Sequence, residues 1–165
     1  MRKSVRFIGC GALVGAASLL TVAAPGIAGA KTKPVTGTCS SLSGNATSQT
    51  LSGCTDPADT GGTGVSTTTS EAISGSTVSG TDSVTWSTSK TSTESFTGTL
   101  KSGKADKCTA GAGQTNLYEV KEKGSVTGGT ATDLVGGKTK GTICVFSTAS
   151  GGIVVQNFPA TTTTF

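Results

Sequence analysis

The stretch 81–100, TDSVTWSTSKTSTESFTGTL, constrains the chain more than any other. Val84, Trp86, Phe96 and Leu100 all fall on even positions, and Thr and Ser fill most of the odd ones. Alternation with a period of two puts apolar side chains on one face of a strand and hydroxyls on the other. Folding the stretch about Lys90 sets Val84 opposite Phe96 and keeps Trp86, the only tryptophan, on their face. The stretch therefore predicts a β-hairpin with a short loop at Ser89-Lys90-Thr91, whose apolar face seeds the core.

The remaining segments carry the same signature. Residues 35–43 and 46–54 read as two strands around Gly44-Asn45. Asn45-Ala46-Thr47 matches a glycosylation sequon and is read here as a turn. Residues 65–73 and 77–80 are further strands, rich in Thr and Ser. Residues 116–123 and 124–134 follow, and residues 139–147 and 152–158 form a last hairpin with its turn at 149–151. In that hairpin Ile143 and Val145 alternate with Cys144 and Phe146, so both faces are apolar, as in a strand buried on both sides. Residues 55–64 and 102–115 are long glycine-containing loops. No segment beyond the N-terminal apolar run shows a helical period, and β-branched Thr favours strands. The expected fold is all-β: an antiparallel meandering β-barrel of eight to ten short strands, with a two-sheet β-sandwich as the alternative.

The chain opens MRKSVRF, with Arg2, Lys3 and Arg6 ahead of an apolar run and small residues at Ala28-Gly29-Ala30. This is the pattern of a secretory signal peptide over residues 1–30, leaving a single all-β domain over 31–165. Removing Cys10 with the signal leaves Cys39, Cys54, Cys108 and Cys144 of the five cysteines. An oxidising compartment then favours two disulfides among three connectivities. Setting Leu42 opposite Leu51 also sets Cys39 opposite Cys54. One register satisfies both pairs, which favours Cys39–Cys54 with Cys108–Cys144. Closing a loop of about 15 residues contributes roughly 3 kcal/mol in the chain-entropy model.

Several chemistries are excluded or weakly supported. The chain has no histidine, so Ser-His-Asp and Cys-His systems are absent. With no C-x-x-C spacing either, zinc is a weak rival to the disulfides. No G-x-S-x-G and no phosphate-binding glycine loop is present. Ser87-Thr88-Ser89-Lys90 fits S-x-x-K, and Lys101-Ser102-Gly103 resembles the K-[ST]-G element of penicillin-recognising enzymes, but the first falls on a strand end and turn rather than a helix. Asp56 and Asp59 share a loop that offers oxygen ligands for calcium without EF-hand spacing. The mature chain carries ten lysines against nine acids, so nucleic acid is not an expected partner. No cofactor is expected. Acid–base work would rest on Lys, Asp, Glu, Tyr and Ser/Thr, and nothing in the sequence gathers these groups.

The pattern Cys39…Leu51-Ser52-Gly53-Cys54-Thr55, followed by Val84-Thr85-Trp86-Ser87-Thr88 and a Thr-rich second arm, resembles a group of uncharacterised secreted actinobacterial all-β proteins. The resemblance implies export and β structure and carries no site residues. In composition the chain is also similar to two secreted ligand-binding scaffolds, the avidin-like barrel and the enediyne-chromoprotein apoprotein, though its single Trp and its cysteine spacing differ from theirs. The expected function is that of a non-catalytic secreted or cell-envelope domain acting through surface contacts, not an integral membrane protein after processing. The alternative is a carrier of a small apolar ligand, with Trp86 and Phe96 lining a barrel cavity. A histidine-free hydrolase is the third reading.

Overall fold

A computed structural model describes residues 33–55, 60–102, 108–157 and 162–165. Residues 1–30, read above as an export signal, with Cys10 among them, and the calcium candidates Asp56 and Asp59 lie outside the described residues. Nine strands follow in chain order: β1 (Thr38–Gly44), β2 (Ser48–Thr55), β3 (Thr63–Ser74), β4 (Thr77–Trp86), β5 (Thr91–Ser102), β6 (Gln114–Gly129), β7 (Lys138–Thr148), β8 (Ile153–Asn157) and β9 (Thr163–Thr164). A 3-10 turn, Thr132–Leu134, links β6 to β7.

Each strand from β2 to β7 pairs antiparallel with the next, and β1 pairs with both β2 and β8. The sheet is thus a closed eight-stranded barrel with one added strand, the meandering barrel expected from the hairpin-by-hairpin sequence. The closing edge of β1 is shared. Ser43 and Gly44 pair with β8, while Thr38 and Cys39 pair with β9.

The first hairpin has the expected register: Leu42 faces Leu51 and Cys39 faces Cys54. Asn45 makes its turn, accepting hydrogen bonds at Oδ1 from the backbone N–H groups of Thr47 and Ser48 at 2.9 Å each. Both expected disulfides are present, Cys39–Cys54 and Cys108–Cys144. The second pins the loop after β5 to the outside of β7. There Cys108, Cys144 and Phe146 form an apolar cluster of their own, with Ala110 and Val154 against it. Both faces of β7 are buried for this reason.

Three expectations are corrected. The Trp86 hairpin turns four residues tighter in register than expected. Val84 faces Ser92, and Phe96 faces Gly80. Ser89 adopts a left-handed conformation (φ 65°), and Trp86 N–H bonds to Lys90 O at 2.9 Å, so the chain reverses before Thr91. The shift is even, so Val84, Trp86, Phe96 and Leu100 still share one face. Residues 77–80 are not a separate strand but the start of β4. Residues 116–123 and most of 124–134 are one sixteen-residue strand, β6, with the 3-10 turn after it. Gly124 and Gly128 do not interrupt it because both are paired across to β5.

Two apolar clusters occupy the barrel. The floor cluster gathers Trp86, Val84, Leu51, Val126, Leu134 and Phe165, with Cys39 and Ala131. The upper cluster gathers Val78, Phe96, Val120, Ile143 and Val155. Phe165, which the alternation argument did not place, is 5% exposed. Its ring lies 4.9 Å from that of Trp86 at 44°, a tilted aromatic contact. Two backbone hydrogen bonds of 3.0 Å between Phe165 and Gly37 hold it there.

Phe165→Ala should lower unfolding stability by about 3–5 kcal/mol, the usual cost of emptying a buried phenylalanine site. Urea denaturation followed by Trp86 fluorescence measures it. A loss below about 1 kcal/mol would show that Phe165 does not plug the floor.

Candidate functional site in the barrel lumen

Inward positions recur at every second residue on each strand, and their side chains leave a cavity of about 570 Å³. Three pairings explain why it is not filled. Trp86 faces Gly64 on β3. Phe96 stands between Gly80 on β4 and Gly124 on β6. Glu122 stands between Gly98 on β5 and Gly141 on β7. The largest inward groups therefore have glycine as a direct neighbour. At Gly64 the fit is obligatory: a Cβ there would meet Trp86 Cε3 at 2.6 Å. The indole packs against β3 at Gly64 and its Nε1 donates to Ser92 Oγ at 3.1 Å, so its one polar atom is satisfied.

The floor end is closed by Trp86, Phe165 and Leu134. At the other end the lumen reaches the β3–β4 turn, where Ile73, Gly75 and Ser76 line it with Leu117, Tyr118 and Ile153. Ile73 is 62% exposed there, which marks this end as the mouth.

Between the two apolar clusters runs a polar belt. Asp82 lies between Val84 and Val78 on β4, Glu94 between Ser92 and Phe96 on β5, and Glu122 between Val126 and Val120 on β6. Asp82 and Glu94 are direct cross-strand partners. Like charges so placed repel. All three carboxyls line the cavity, and the accessible surface they keep is that of its wall.

Burial raises all three pKa values, because low dielectric disfavours the charged form. Asp82 is raised by desolvation, offset by hydrogen bonds from Thr68 and Ser66. Glu94 is pushed up to about 7 by desolvation, with the Thr139 hydroxyl opposing and the Asp82 charge adding. Glu122 is pushed up to about 8 by desolvation, then by the charges of Glu94, Asp82 and Glu71. Thr139, 5% exposed, stands beside Glu94, yet no hydrogen bond of ordinary geometry closes from its Oγ1 to any protein atom. Asp82 Oδ1 is likewise buried with no partner.

Both residues proposed from sequence as ligand contacts, Trp86 and Phe96, line this lumen. The four disulfide cysteines do not. Ser87 to Lys90 form the turn at the floor end, outside the cavity, where Ser87 Oγ donates to Thr60 O at 3.0 Å. Lys101 sits at the far end of β5, so the fold keeps the S-x-x-K and K-[ST]-G elements apart. Among the described residues no group of three or more His, Cys, Asp or Glu could hold a metal ion. Sequence reasoning missed the carboxyl belt, although the signal was present. Asp82 and Glu94 share the even phase of Val84, Trp86 and Phe96, and Glu122 shares that of Val120 and Val126. No protein-family model, no curated protein and no solved structure matches this chain.

The raised carboxyls set the pH dependence of stability. The folded state holds protons on Glu94 and Glu122 that the unfolded chain releases near pH 4.5. Their protonated forms favour folding fully below that value, and the benefit is lost as pH rises through about 7 and 8. The melting temperature should therefore fall between pH 5 and 9, and Glu94→Gln with Glu122→Gln should flatten the fall. An equally steep decline in the double variant would assign it to other groups.

Proposed function

We propose that this protein binds a small, largely apolar molecule inside its barrel and carries it, with the belt of carboxyls fixing the ligand's polar end. The observation that supports this most is the lumen itself: about 570 Å³, shut at one end and open at the other. That size is ordinary for small-molecule sites, as is an apolar wall with a few convergent polar groups. The two disulfides suit an oxidising compartment, and no helix among the described residues is long and apolar enough to cross a membrane. Both fit a secreted or cell-surface carrier. Nothing in the reading requires the protein to transform what it holds.

A neutral solvatochromic dye such as prodan tests the reading. It should bind one per chain, shift its emission to the blue and quench Trp86. Ile153→Trp, which adds bulk at the mouth, should weaken binding about tenfold by filling apolar volume. Absence of saturable binding by folded protein sinks the carrier reading.

A second reading, surface contact with the cell envelope, is favoured by one patch. Lys121 and Lys123 on β6 and Lys138 and Lys140 on β7 are all exposed and all point outward by alternation. Lys123 and Lys140 are direct cross-strand partners. Such like-charge pairs are unfavourable in a bare sheet, and an anionic polymer would relieve them. Retention on phosphocellulose at low salt should drop in the Lys123→Gln, Lys140→Gln variant. Unchanged retention removes the patch from consideration.

A further inference from the structure

The polar belt says more about the ligand than its size. Its carboxyls have no cationic partner: among the described residues no lysine forms an ion pair with Asp82, Glu94 or Glu122, and Lys121, Lys123 and Lys138 are exposed and do not line the cavity. The belt is also short of hydrogen-bond donors. Ser66 and Thr68 are already turned to Asp82. Asp82 Oδ1 still lacks a donor, and the buried Thr139 hydroxyl has no partner. Asp82 Oδ1 is thus an open acceptor, and Glu94 and Glu122 become acceptors only once they ionise, so a donor from the ligand fits here.

Building on the carrier reading, we infer that the molecule the lumen takes is an organic amine, bound as its ammonium, with the cationic head in the belt among Asp82, Glu94 and Glu122 and its apolar body between Trp86 and Phe96. An ammonium brings three donors and no acceptor, and Asp82 Oδ1 and the Thr139 hydroxyl oxygen can both accept from it. A bare metal ion does not fit, since the carboxyls do not gather into a ligand set. An anionic or acceptor-rich ligand would add to the repulsion that already separates the three acids.

The inference has a proton balance. Glu94 and Glu122 hold protons in the empty lumen up to about pH 7 and 8. An ammonium beside them favours the carboxylates, so binding expels protons to solvent. Amine affinity then rises with pH across that range, until the amine itself deprotonates near pH 10. The other titratable groups on the wall are Glu71 from β3, Lys140 from β7 and Tyr118 at the mouth. Glu71 strengthens the cation preference and Lys140, which is exposed and pairs with Thr164, opposes it.

The test sets 1-adamantanamine against 1-adamantanol, which share an apolar body, as displacers of the neutral dye at pH 6 and pH 8. The amine should displace about tenfold better than the alcohol at pH 8 and lose much of that advantage at pH 6. In Glu94→Gln, Glu122→Gln the advantage should fall to about threefold or less while the alcohol still displaces the dye. Calorimetry of wild-type protein at pH 7 in two buffers of different ionisation enthalpy gives an independent reading, with about one proton released per amine bound. Equal displacement by both probes, displacement by neither, an advantage that survives the double variant, or no proton release each overturns the amine assignment. In every one of these cases dye binding still stands for the carrier reading, and loss of dye binding alone removes both.

Discussion

Everything inside this molecule depends on β1 closing the sheet. A closed barrel has no edge strand and isolates its interior from bulk water. β1 pairs along its length with β2, but its other edge is divided between β8 and the two-residue β9. The Cys39–Cys54 bridge spans the β1–β2 pair at the end where β9 joins. The covalent link therefore sits where the two-residue strand β9 completes the closure. If that end opened, Phe165 would leave Trp86, the floor would admit water, and the belt acids would return to ordinary carboxylate behaviour.

Closure alone does not produce a cavity. An eight-stranded barrel is just wide enough to be filled by its own side chains or to hold one small ligand. Here the choice falls to the inward glycines. They let Trp86, Phe96 and Glu122 lie against neighbouring backbone rather than against other side chains. Apolar groups then collect at two levels, and the space between them stays open around the carboxyls.

Much of this architecture is legible from alternation. The face of the Trp86 hairpin, the Cys39/Cys54 register and the two-sided burial of β7 all follow from residues close in sequence. The hairpin register does not, because it rests on Ser89 taking a left-handed conformation that few non-glycine residues adopt. The seat of Phe165 is equally hidden: it depends on a pairing with Gly37 across the whole chain. The belt was within reach. Asp82 and Glu94 stand in phase with Trp86, but a polar residue on an apolar face reads as noise until closure shows that the face is interior. Glu122 joins them only through the β5–β6 pairing, where the long strand β6 carries it past Gly98.

The hydroxyls make the same point from the outside. On the outer surface Thr and Ser satisfy one another: Thr69 and Thr81 at 2.7 Å, Ser70 and Thr81 at 2.8 Å, Thr38 and Thr55 at 3.0 Å. There water could have served each of them, so these bonds add little net stability. Inside, where an unmade hydrogen bond costs most, Asp82 Oδ1 and Thr139 Oγ1 go without a protein partner. A chain under no constraint but stability would place its polar satisfaction the other way round, or replace Asp82, Glu94 and Glu122 with residues like their neighbours Val84, Phe96 and Val120. Buried groups that local rules disfavour, gathered where the fold leaves room, are the observation that supports the proposed carrier reading.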